Sequence, residues 1–107
     1  MIRVFVFIFI LVNVQLVFAT AFDDAQSAAR NGQYKQVVTI LSDVLDTGDL
    51  DSSQEVIAYS NRGIAYSLLK AYGLAKVDLQ KAIKLDPDHK LTQNHLGILA
   101  EHVEGDY

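Results

Sequence analysis

The 107-residue sequence has no cysteine, no tryptophan and a single proline, and it carries only 9 Lys and Arg against 13 Asp and Glu. Without a thiol there is neither a disulfide framework nor a cysteine-based metal or redox site. The Asn-x-Ser/Thr acceptor is missing as well, so nothing marks the chain for N-glycosylation. With few basic residues and no basic cluster, nucleic-acid binding lacks electrostatic support, and attraction to anionic lipid head groups is disfavoured. Gly32, Gly48, Gly63, Gly73, Gly97 and Gly105 are scattered rather than gathered in a phosphate-cradling loop, and serve better as turns or close-packing points.

What is present begins with an apolar run from Val4 to Val17, preceded by one charge, Arg3, and followed by the small residues Ala19 and Ala21. This is a secretory signal pattern, and it predicts cleavage after Ala21. The domain division is then 1–21 for the leader and 22–107 for the body. Losing Arg3 leaves 8 Lys and Arg against 13 Asp and Glu, a net charge of −5. The alternative is a segment that stays in the membrane as an anchor, since the run approaches the roughly 20 residues that a bilayer requires. Asn13 and Gln15 weaken a permanent span, and the lack of a second arginine beside Arg3 argues against twin-arginine export. The expected location is exported, periplasmic or extracellular, with a membrane-anchored form as the alternative.

From Phe22 onward the apolar residues recur at helical spacing. Tyr34, Val37, Val38, Leu41, Val44 and Leu45 line one helical face, and Ala75, Leu79, Ala82 and Ile83 line another. Asn31-Gly32 suits a tight turn between antiparallel helices. Ser52 and Glu55 have capping-box spacing, which starts a helix near Ser53. Pro87 stops the helix before it by Leu85 or Asp86, and Asp88 is placed to cap the next. The expected helices are 22–31, 33–46, 53–70, 72–85 and 89–104.

Gly63 and Gly97 lie 34 residues apart, each after an asparagine-containing segment, SNRG and NHLG. A 34-residue helix-turn-helix period is the signature of the tetratricopeptide repeat, and residues 56–87 resemble that family. In this resemblance Tyr59 takes the tryptophan place, Gly63 the small residue where paired helices approach, and Tyr66 the tyrosine three further on. Ala75, Leu79 and Ala82 take the packing positions of the second helix. Pro87 closes the unit. Arg62 departs from the usual leucine. Laying Tyr34 on Tyr72, an offset of 38, puts Ala25 on Gly63, Val37 on Ala75, Leu41 on Leu79 and Val44 on Ala82. The resemblance therefore implies an all-α fold of antiparallel helical hairpins stacked as a short solenoid of about two and a half repeats, at 22–52, 56–89 and 90–107, the last incomplete. Gly105-Asp106-Tyr107 resembles the family's turn between helices, displaced by one residue. The last helix carries Leu91, Leu96, Ile98, Leu99 and Val103, more apolar positions than a solvated cap should show. Its outer face is expected to meet a second copy of the chain, a partner, or further residues of a longer product.

Chemistry is hard to find in this pattern. His95 and His102 share a helical face but are two turns apart, about 10 Å of rise, too far for one ion without a ligand between them. Both read as solvated helix residues. The aspartates at 46, 49 and 51 lack the twelve-residue calcium pattern. Tyr34, Tyr59, Tyr66 and Tyr72 read as packing residues. No convergent acid, base or nucleophile is visible, so neither catalysis nor a metal or cofactor is expected.

Binding remains. The resemblance implies a protein or peptide partner held in the concave groove formed by the first helix of each repeat. Gln26 and Arg30 would face it from the first unit. Ile57, Ser60, Asn61, Ile64, Ser67 and Leu68 would do so from the second, and Asn94, His95, Ile98 and Glu101 from the third. Of the carboxylate clamp found in part of the family only Asn61 is matched, and Leu91 and His95 stand where that clamp has lysine and arginine.

Overall fold

In the computed structural model the backbone is described for residues 2–105 and the side-chain surroundings for residues 15–102. Among the described residues there are five helices and no strand: α1 (Ile2–Arg30), α2 (Tyr34–Asp46), α3 (Ser52–Leu68), α4 (Tyr72–Leu85) and α5 (Lys90–Gly105). Each helix packs on the next in the chain, and α5 also reaches α3. The architecture is thus a short all-α stack of helical hairpins.

Local chemistry sets the turns. At the end of α1 the Gln33 amide donates to the Ala28 carbonyl (2.9 Å) and Gly32 sits at φ +72°, a left-handed helix stop that glycine adopts without steric cost. The end of α3 has the same geometry, with the Ala71 amide donating to the Tyr66 carbonyl (2.8 Å). Here Lys70 occupies the left-handed position at φ +63°. The α3 N-terminus is capped one residue before the Ser52/Glu55 expectation. The Asp51 carboxylate accepts from the Gln54 amide (2.9 Å) while the Gln54 side chain accepts from the Asp51 amide (3.0 Å). The bond from the Gln54 amide, with one from the Ser53 hydroxyl, holds the Asp51 carboxyl below the usual carboxylate range. Both spacings fit the motif, but Leu50, buried among Phe18, Val44 and Ala58, fixes where the chain enters.

Pro87 ends α4 as expected, with Asp86 driven to extended backbone. Asp86 rather than Asp88 organises the next turn: its side chain accepts from the Asp88 amide (3.2 Å) and its carbonyl from the His89 amide (3.2 Å).

The core forms three clusters. Ala25, Ala28, Val37, Leu41 and Ala65 fill the first hairpin and its junction with α3. Phe18, Val44, Leu50 and Ala58 close one end. Ala75, Leu79 and Leu99 join the second hairpin to α5. Where α3 and α4 cross, a Cβ on Gly63 would lie 2.9 Å from Leu79 Cγ and 3.2 Å from the Ala75 carbonyl, so only glycine permits this approach. Beside it the Arg62 guanidinium makes a bidentate pair with Asp78 (2.7 and 2.8 Å) and donates to Ser42 Oγ on α2 (3.0 Å). Asp78 is 2% exposed. Its hydrogen bonds raise the pKa of Arg62 further, against the opposing effect of burial.

Candidate binding groove

One face of the stack brings together α1, α3 and α5. Two depressions lie along it. The larger, about 310 Å³, sits between α1 and α3, with Phe22, Asp23, Gln26 and Ala29 on one wall. Ile57, Asn61, Ile64 and Leu68 form the other wall, and Tyr34 and Val37 of α2 form part of its lining. The smaller, about 140 Å³, lies between α3 and α5 and is lined by Ile64, Ser67, Leu68, Tyr72, His95, Ile98 and His102. Ile64 and Leu68 border both, so the two depressions adjoin and together mark a path across α3.

Helical spacing explains the alignment. Ile57, Asn61, Ile64 and Leu68 recur at intervals of three and four on α3 and so share a face. Ile57 (45% exposed), Leu68 (54%) and Ile98 (47%) leave much of their apolar surface to solvent. The offsets of 38 and 34 also align Asp23, Asn61 and His95 with one another, and all three line the path. An acid, an amide and an imidazole therefore succeed one another from α1 to α5. No lysine or arginine lines either depression.

Most of the expected groove residues lie on this path: Gln26, Ile57, Asn61 and Ile64 around the larger depression, and Ser67, Leu68, His95 and Ile98 around the smaller. Arg30, Asn94 and Glu101 are exposed but line neither. Ser60 faces the other way: it is fully buried and accepts from Thr92 Oγ1 (3.2 Å), which in turn contacts His89 Nδ1 (2.7 Å). This polar relay seals α3 against α5.

The sequence reading missed Phe22, Asp23, Tyr34, Tyr72 and His102 as lining residues. Tyr72 stacks on His102, with ring centroids 6.0 Å apart and planes 15° apart. Partial burial lowers the pKa of His95. The offset of 38 pairs Tyr34 with Tyr72, and each lines one of the depressions beside its hairpin turn. Tyr59 belongs to none of the three clusters. Its ring meets Arg62 (5.7 Å to the guanidinium carbon) and Lys81 (5.2 Å to Nζ).

On the last helix Leu99 is buried and Leu96 packs beside it against α4, whereas Leu91 (45%) and Ile98 (47%) are exposed. The Val103 side chain and the Asp106-Tyr107 end of the expected turn lie outside the described residues. Among the described residues no group of three or more His, Cys, Asp or Glu could hold a metal ion.

Comparison with known proteins finds two similarities. The family model described as "Tetratricopeptide repeat" matches residues 56–89. A Haemophilus influenzae protein named "Lipoprotein NlpI homolog" is 34% identical over 70 residues, covering 64% of this chain and 22% of that protein. The chain thus corresponds to a minor part of that relative's length. No solved structure matches the chain.

Proposed function

We propose that this chain, which belongs to the tetratricopeptide repeat family and hence to a class of protein–protein interaction modules, is an exported, non-catalytic adaptor. It holds a peptide or helix of a partner protein along the α1/α3/α5 face. The observation that carries this reading is the pair of adjoining depressions along α3, bordered by the exposed apolar side chains Ile57, Leu68 and Ile98 and the half-buried Ile64. Exposed apolar surface of this kind, flanked by a few polar groups, marks recognition sites.

Charge narrows the partner. With Asp23 at one end and no Lys or Arg in the lining, the larger depression suits an apolar side chain next to a basic residue rather than a carboxylate terminus. The imidazoles at the other end suit an acceptor. Location in a cell envelope is supported by the relative's being named a lipoprotein. These 107 residues contain no cysteine that could carry a thiol-linked lipid.

A second reading keeps the apolar segment as a membrane tether. It is favoured by α1 running unbroken from Ile2 to Arg30, which joins that segment to the first repeat without a linker. Among the described residues no helix is long and apolar enough to cross a membrane. Carbonate extraction separates the readings, since only a retained tether stays in the pellet.

The groove itself is tested with a photo-crosslinking amino acid placed at Asn61, and at Gln36 on the exposed side of α2 as a control. Irradiation of intact cells should give a discrete adduct from position 61 and none from position 36. Equal labelling at both, or none at 61, would remove the groove as the binding face.

A further inference from the structure

The signal pattern places a processing point after Ala21, within α1. The packing on either side of that bond tells against cleavage there. Phe18 is 4% exposed and forms one core cluster with Val44, Leu50 and Ala58; Ala21 and Phe22 pack against the same cluster. By the offset of 38, Phe18 takes the place that Val56 (5% exposed) holds at the start of the second repeat. The helix is regular here, with the Thr20 hydroxyl donating to the Leu16 carbonyl four residues back (2.9 Å). Leu16 and Val17, by contrast, are each 63% exposed.

We infer that the first repeat begins at Phe18 rather than Phe22, and that the functional chain retains residues 18–21 as the first turn of its first repeat. Cleavage after Ala21 would remove the buried phenyl ring and leave an apolar vacancy between α2 and α3. It would also make Phe22 and Asp23, which line the groove, the frayed start of a helix. The apolar run from Val4 to Val17 is accordingly either kept or cut upstream of Phe18. This inference stands apart from what the groove binds, because its readouts need no partner.

The test has two parts, both on the full chain. First, the protein is produced with a C-terminal tag in a host that exports it, and the intact mass and N-terminal residue are determined. The expected N-terminus lies at or before Phe18; a folded product beginning at Phe22 overturns the inference. Second, thermal unfolding is compared for Phe18→Ala, Phe18→Leu and Leu16→Ala. Phe18→Ala should lower Tm by roughly 10 °C or more, Phe18→Leu by clearly less, and Leu16→Ala by no more than about 2 °C. Equal shifts at positions 16 and 18 would place Phe18 outside the repeat. Should Phe18→Ala fail to fold, the graded loss from Leu16→Ala to Phe18→Leu still decides the matter.

Discussion

The two complete hairpins solve the same packing problem with different side chains. In the first, Ala25 on α1 packs with Val37 and Leu41 on α2; in the second, the equivalent position is Gly63, set against Ala75 and Leu79. The first fills its interhelical space with branched side chains. The second removes side-chain volume, which brings α3 and α4 close enough that a single methyl on Gly63 would collide. The second also buries an ion pair, Arg62 with Asp78, whose counterparts by the offset of 38 are Asp24 and Ile40. A repeat position therefore specifies where volume is needed, while the residue found there decides how near the helices come.

The largest test of this contrast is the ion pair. Arg62→Met leaves a buried carboxylate without its counter-charge and should cost about 3–5 kcal/mol in urea unfolding. Replacing both partners, Arg62→Met with Asp78→Leu, should recover most of that loss, because the second hairpin would then carry an apolar pair at these positions. Asp24→Met, at the exposed equivalent position, should change stability by less than about 0.5 kcal/mol. A mild effect of Arg62→Met would mean that the two hairpins do not differ in how they are held.

Next comes the crossing point. Gly63→Ala should destabilise by about 1–3 kcal/mol through overpacking against Leu79 and the Ala75 carbonyl. The mirrored change Ala25→Gly should cost only about 0.5–1 kcal/mol, the usual penalty for glycine inside a helix. If the two losses come out equal, the closeness of α3 and α4 is not what Gly63 supplies.

How much of this was legible depended on whether one residue or a register of several decided the outcome. The helices and the hairpin pairing followed from apolar spacing and from Gly63, Ala75, Leu79 and Pro87, since each of those positions is constrained by volume or by a missing amide. The cap of α3 was ambiguous because the run Asp51-Ser52-Ser53-Gln54-Glu55 offers two overlapping motifs, and burial of Leu50 chooses between them. Ser60 reads as a groove residue because the resemblance assigns the face of the first helix of each repeat to the groove. Its burial comes from Thr92, 32 residues away, which no local pattern reports. Phe18 directly follows the apolar run from Val4 to Val17 and looks like its continuation, and only its packing partners distinguish it from Val17.

Lys70 sharpens the comparison at the turns. It sits at φ +63° where the first hairpin has Gly32 at φ +72°, and a side chain in that conformation costs about 1 kcal/mol. Lys70→Gly should therefore raise stability by roughly 0.5–1 kcal/mol, offset in part by the greater freedom of glycine in the unfolded chain. Gly32→Lys should lower it by a similar amount. The pair of melting curves would show whether the two turns are held equally by their surroundings.

The smallest effect lies in the row Asp23, Asn61, His95. Burial lowers the pKa of His95 below the ordinary histidine value of 6.5. In the unfolded chain the ring takes up its proton first, so between 6.5 and the lowered value the unfolded state binds more protons than the native one. Stability should thus be insensitive to His95 above pH 6.5 and fall as the pH drops through that window. His95→Asn, which copies the second repeat's Asn61 into the third, should flatten this part of the pH profile and leave the neutral-pH value nearly unchanged. A slope that survives the substitution would assign the acid sensitivity to other groups. It would also leave the imidazole end of the groove no different in its response to protons from the amide at its centre.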